Sequence, residues 1–196
     1  MSSRIDFRVI AEESLAEYPT SNLYFLLDHG GLPGLYRQLS RSSLGWTSLF
    51  DSTREANALA VAPFLILAGS NGQLRMSRSF LEWLGENGTY SSTVIMLSSP
   101  LQIEPMTSRL TARLDVRISE NMEAMLRFFD PRVLESLIEI LSVEQAKEFF
   151  SPAQAWRYVD RAGRMAGVTT FFNVQENFSA PLVLSQQQEF ALLGKR

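Results

Sequence analysis

The chain has 196 residues, a formal charge of −3 and no cysteine, with 45% hydrophobic and 20% charged residues. That length buries roughly 70% of the unfolded surface in one domain, or in one domain with a small appendage. The acidic balance argues against nucleic-acid binding and the apolar content against disorder, while the missing cysteines exclude disulfides, thiolate nucleophiles and thiolate metal sites.

The first residues, Met1-Ser2-Ser3-Arg4-Ile5-Asp6, carry no apolar signal-peptide core, and no apolar run approaches a membrane span. A cytoplasmic location without membrane insertion is therefore expected. Residues 6–18 predict a helix with Phe7, Ile10, Ala11 and Leu15 on one side, closed by Pro19. Leu23-Tyr24-Phe25-Leu26-Leu27 is a continuous apolar run ended by Asp28-His29-Gly30-Gly31, the pattern of a strand covered on both faces and followed by a turn. Leu32, Leu35, Tyr36 and Leu39 have helical spacing. Residues 46–50 read as extended, and Ser52 with Glu55 makes a capping box for a short helix. Residues 63–68 are the next buried-strand candidate. Past the Gly69-Ser70-Asn71-Gly72 turn, Met76, Phe80 and Leu84 mark a helix stopping near Asn87-Gly88. Residues 93–97 read as a strand, and Pro105 sets the start of a regular helix reaching about Arg113. Residues 114–118 and 124–129 flank a polar break, the mark of a hairpin.

The next stretch, Met125-Leu126-Arg127-Phe128-Phe129-Asp130-Pro131-Arg132-Val133-Leu134, reads as a strand feeding a helix. Asp130 suits the N-cap and Pro131 the first helical position, and Leu134, Leu137, Ile138 and Leu141 lie on one face. Arg127 is a cation among apolar neighbours, so it is expected to be buried and paired with a carboxylate, in one polar cluster with Asp130 and Arg132. Ser142 with Gln145 caps a second helix, bearing Phe149 and Phe150, which Ser151-Pro152 ends. Beyond it, residues 155–160 read as a strand or helical turn, 168–174 as a strand and 185–193 as a capped helix. These elements predict an α/β fold: a mixed, mainly parallel sheet with crossover helices, and a smaller, less regular helical and extended C-terminal part. The division falls near Ser151, giving an α/β core over residues 1–150 and an extension over 151–196 packed on it.

No catalytic set stands out. His29 is the single histidine, sits between Asp28 and two glycines, and reads as a turn residue. Asp28, Asp51 and Asp130 each follow an apolar run at a strand end, where aspartate caps the next helix or, in the alternative reading, holds a divalent cation for a small hydrolase or phosphotransferase. The glycine pairs lack the spacing of a phosphate loop or dinucleotide fingerprint. Arg109, Arg113 and Arg117 interleave with Glu104, Asp115 and Glu120, a solvated face more than a phosphate site. Phe149, Trp156, Tyr158, Phe171 and Phe172 follow no single period and are the candidate partner-binding residues. No metal ligand and no cofactor is expected. A third reading, a regulatory module for a small ligand, would need a closed apolar pocket with convergent polar groups.

Leu23-Tyr24-Phe25-Leu26-Leu27-Asp28, Ser48-Leu49-Phe50-Asp51-Ser52, Ala62-Pro63-Phe64-Leu65 and Leu126-Arg127-Phe128-Phe129-Asp130-Pro131-Arg132-Val133-Leu134 occur in an order and spacing that resemble the type VI secretion adaptor family, also called effector chaperones. Phe149-Phe150-Ser151-Pro152 followed by Trp156 resembles its next block. The resemblance covers residues 22–160 and is most specific at Arg127, Asp130, Pro131 and Arg132, which match the family's signature as a fold-holding junction. It implies a non-enzymatic protein of the bacterial cytoplasm. Such a protein binds one toxic effector and helps load it onto the trimeric spike protein VgrG. Residues 161–182 resemble no known block, and cargo-specific variation is expected there.

Overall fold

The computed structural model describes residues 4–118, 122–170 and 181–194. Helix α1, Phe7–Glu17, begins where the Asp6 carboxylate accepts from the amides of Arg8 and Val9, and it buries Phe7, Ala11, Ser14 and Leu15, one stripe at helical spacing. Strand β1, Asn22–Asp28, follows and is buried at every residue. A 3-10 turn, His29–Gly31, and helix α2, Leu35–Ser40, lead to β2, Trp46–Ser48. Gly31 packs so closely on Thr93 that a Cβ there would overlap the threonine methyl. No helix forms at Ser52–Glu55; residues 49–57 are turns, in which Thr53 instead bonds the Phe50 carbonyl and the Glu55 amide.

Strands β3, Pro63–Ser70, and β4, Gln73–Leu74, form a tight hairpin before helix α3, Arg78–Gly88, and β5, Val94–Ser99. Helix α4, Ile103–Thr111, carries Pro105 in its first turn, where no intrahelical amide bond is lost. Strands β6, Asp115–Arg117, and β7, Glu123–Met125, make the expected hairpin. Helices α5, Pro131–Ile140, and α6, Val143–Phe150, come next, then β8, Ala155–Val159, β9, Met165–Thr169, β10, Leu182–Val183, and α7, Gln186–Gly194.

The main sheet has seven strands in the order β2-β3-β1-β5-β8-β9, with β4 also paired to β3. Every pairing in it is antiparallel, which overturns the mainly parallel sheet expected from the sequence. Burial of β1 on both faces was legible in its apolar run. Burial does not set direction; the return path of the chain does. Asp28 pairs with Pro63, so the excursion between β1 and β3 returns to the end it left. Ser98 pairs with Ala155, so the excursion through α4, α5 and α6 does the same. Directions therefore alternate along the sheet, and β3 and β5, joined across α3, run the same way on either side of β1. The second, three-stranded sheet has the order β10-β6-β7, with β10 parallel to β6.

Alternate residues of the main sheet meet two different layers. Phe25 faces α1, its ring 6.1 Å from that of Phe7, and Arg157 donates to Ser14 of the same helix at 3.0 Å. On the opposite face Trp156 meets Phe128, Phe149 and Phe150, with ring centroids 6.3, 6.3 and 5.3 Å away. Strands β8 and β9 continue the main sheet, so a boundary at residue 151 runs between α6 and strands that belong to the same sheet as β1.

Candidate functional site

The Arg-Phe-Phe-Asp-Pro-Arg stretch folds as a turn. Strand β7 ends at Met125, and the Asp130 amide donates to the Arg127 carbonyl at 2.9 Å. The expectation of a strand through Phe129 fails: the chain turns after Met125, with Phe128 and Phe129 both buried in the turn and each packed against different rings. Turning lets Phe129 reach Phe50, 6.1 Å away, while Phe128 reaches Phe149 at 5.7 Å. Leu126 ties the turn back to the small sheet by donating to the Leu114 carbonyl.

The same turn places Arg127 at the surface, its side chain 47% exposed, where burial was expected. Its carboxylate partner is Asp28, at the end of β1, with Nη2 donating to Oδ2 at 3.2 Å. Its guanidinium also lies 5.4 Å from the centre of the Phe129 ring, a cation–π contact. Asp28 itself is buried, and its other oxygen accepts from the Gly30 amide at 2.9 Å. Burial pushes the Asp28 carboxyl above the usual carboxylate range and nearby Asp130 adds to the rise, while the Gly30 amide and Arg127 act against it.

Asp130 caps α5 as the sequence implies. It accepts from the Arg132 amide at 2.9 Å, and the Arg132 guanidinium closes on both its oxygens, Nε at 3.0 Å and Nη2 at 2.7 Å. Pro131 takes the first helical position. The charges thus form two linked pairs, Asp28 with Arg127 and Asp130 with Arg132, in which the acids are sunk and the guanidiniums reach solvent. Asp51 is exposed in its turn and takes no part. Among the described residues no three His, Asp or Glu side chains converge as a metal site would need.

Beside this junction opens a groove of about 540 Å³. One wall is the small sheet and turn, through Val116, Ile118, Met125 and Leu126; the floor includes Val133 and Ser136 of α5; the far wall is Leu184 with Leu192 and Leu193 of α7. Arg127, Asp130, Arg132, Arg161 and Glu189 supply its polar lining. Met125 and Leu193 remain exposed, and Val183 and Phe190 leave further apolar surface on β10 and α7.

The aromatics chosen from sequence lie elsewhere. Phe149 and Trp156 are fully buried and Tyr158 nearly so, which corrects the expectation that they present a partner surface. They lacked a common period because Phe149 comes from helix α6 and Trp156 and Tyr158 from strand β8, and Phe149 and Trp156 meet in one cluster with Phe128 of the turn. The Trp156 indole donates to the Phe150 carbonyl at 2.9 Å. Phe171 and Phe172 lie outside the described residues.

Sequence reasoning missed Arg113, placed on a solvated face and found 1% exposed. It donates to the carbonyls of Phe149, Arg109 and Glu148 at 2.6, 2.6 and 2.7 Å, and to Ser151 Oγ at 3.2 Å. A cation on the last carbonyls of α6 satisfies groups that a helix end leaves open. The signal was present: Met106, Leu110 and Arg113 share one helical face, and the first two are core.

The fold and junction define a small helix-covered antiparallel sheet whose charged turn sits at the mouth of an apolar groove. The profile of a domain of unknown function, DUF4123, matches residues 23–148, so the chain belongs to that family, one associated with type VI secretion adaptors. The matched span runs from β1 to α6 and contains Asp28, Arg127, Asp130 and Arg132, whereas the α7 wall of the groove lies beyond it. No curated protein and no solved structure matches the chain.

Proposed function

We propose that this protein is a non-enzymatic adaptor of the bacterial cytoplasm that binds a secreted effector and assists its loading onto the VgrG spike of a type VI secretion apparatus. Family membership supports the adaptor role. The observation that carries the binding site is the groove, the concave surface on which the family's charged junction borders exposed apolar side chains. Its volume falls in the range of binding clefts, about 300–1,000 Å³, which suits a few side chains of a partner segment more than a whole domain face. One wall comes from the family-matched span and the other from residues 184–193, an arrangement that fits a shared frame with a chain-specific recognition wall.

Coexpression with a candidate effector and with a VgrG spike from the same bacterium, followed by calorimetry of the purified proteins, tests the reading. A complex with effector or spike at micromolar concentration or tighter is expected, and binding to neither sinks it. Leu193→Glu puts a charge on an exposed groove residue without opening the core, and should weaken the effector complex about thirtyfold, or about 2 kcal/mol.

A further inference from the structure

We infer that the segment seated in the groove is apolar and carries one carboxylate, which Arg127 receives. The inference rests on the adaptor reading for the groove's role and adds the chemistry of its occupant. A guanidinium has five N–H donors. Arg127 gives one of them to Asp28, and among the described residues it makes no other hydrogen bond. With its guanidinium carbon over the Phe129 ring and about half its side chain exposed on the groove, its other donors are open to an occupant. Its neighbours differ: Arg132 closes both prongs on Asp130, and Arg161 is ion-paired with Glu135, its Nε 3.2 Å from Oε2.

Sign follows from depth. The Asp28 and Asp130 side chains are 6% and 9% exposed, so the junction presents guanidinium to the groove and keeps its acids beneath. Glu189 on the α7 wall is the opposing charge, and it disfavours a run of acids while leaving room for a single carboxylate at the Arg127 end. Between these ends the lining is apolar, through Met125, Val133, Leu184 and Leu193, which a hydrated polyanion would not fill. An arginine with open donors is the group that grips a carboxylate by two parallel bonds.

The test uses the full chain and three fluorescent amphipathic peptides with the same leucine face, differing only in one flanking residue, Glu, Gln or Lys. Fluorescence anisotropy should show the Glu peptide binding about tenfold tighter than the Gln peptide and the Lys peptide weakest, with the preference shrinking in high salt. Arg127→Gln should erase the difference between Glu and Gln peptides. Because that variant strips the buried Asp28 of its cation, Asp28→Asn with Arg127→Gln serves as a folded control and should behave alike. Equal affinities for the three peptides, a preference that survives both variants, or no binding up to about 1 mM overturns the inference. The adaptor reading fails separately, when neither effector nor spike binds. An effector complex that forms but is indifferent to Arg127→Gln sinks this inference alone.

Discussion

Asp28 is the residue whose chemistry reports most directly on the junction. Its carboxyl is raised, chiefly by burial, so the native state binds its proton more tightly than the unfolded chain does. The sign follows: this group's contribution to stability is fully present below its unfolded value of about 4 and is lost as pH rises through the higher folded value. Asparagine cannot ionise and keeps an oxygen for the Gly30 amide. The melting temperature of Asp28→Asn minus that of wild type should therefore increase from about pH 4 to pH 7. A difference that stays constant over that range would show that the carboxylate is not strained by its burial. The carboxylate partner of Arg127 was legible in kind, since a cation among apolar neighbours needs an acid. Which acid was not, because Asp28 and Arg127 are 99 positions apart and meet only when β1 and the turn are packed together.

The two helices after the turn show how far element ends can be read locally. Asp130 and Pro131 start α5, and the Ser142–Gln145 box starts α6 with both reciprocal bonds present. These were visible in sequence because capping depends on residues within one turn. Asp130→Ala should cost about 1–2 kcal/mol in denaturant unfolding, since the exposed Arg132 it releases can turn to water. The far end of α6 was not legible, because its cap is Arg113, which reaches it from the end of α4. Replacing Arg113 by Met keeps bulk and leaves those buried carbonyls unmet, and a loss of about 3 kcal/mol is expected. Arg113→Lys should recover little, since an ammonium cannot span the carbonyls that the fork joins. Near-wild-type unfolding of the Met variant would show that the cation is dispensable.

For the molecule as a whole, the aromatic cluster beneath β8 joins the excursion between β5 and β8 to the sheet. Trp156→Ala should therefore destabilise the fold by about 3–5 kcal/mol, where a surface anchor would alter binding and leave the melt unchanged. What the sequence by itself determined is local or compositional. It set which runs are buried on both faces, where most helices begin, the Asp130-Pro131 junction, and the family resemblance carried by ordered blocks. Tertiary structure alone decided the strand directions, since an apolar run such as Leu23–Leu27 reads the same either way and only the return of the chain at Pro63 and Ala155 sets it. It also decided which aromatics are core. Phe128, Phe149 and Trp156 come from three elements, and no periodicity within one element can reveal a cluster that exists only after all three have packed.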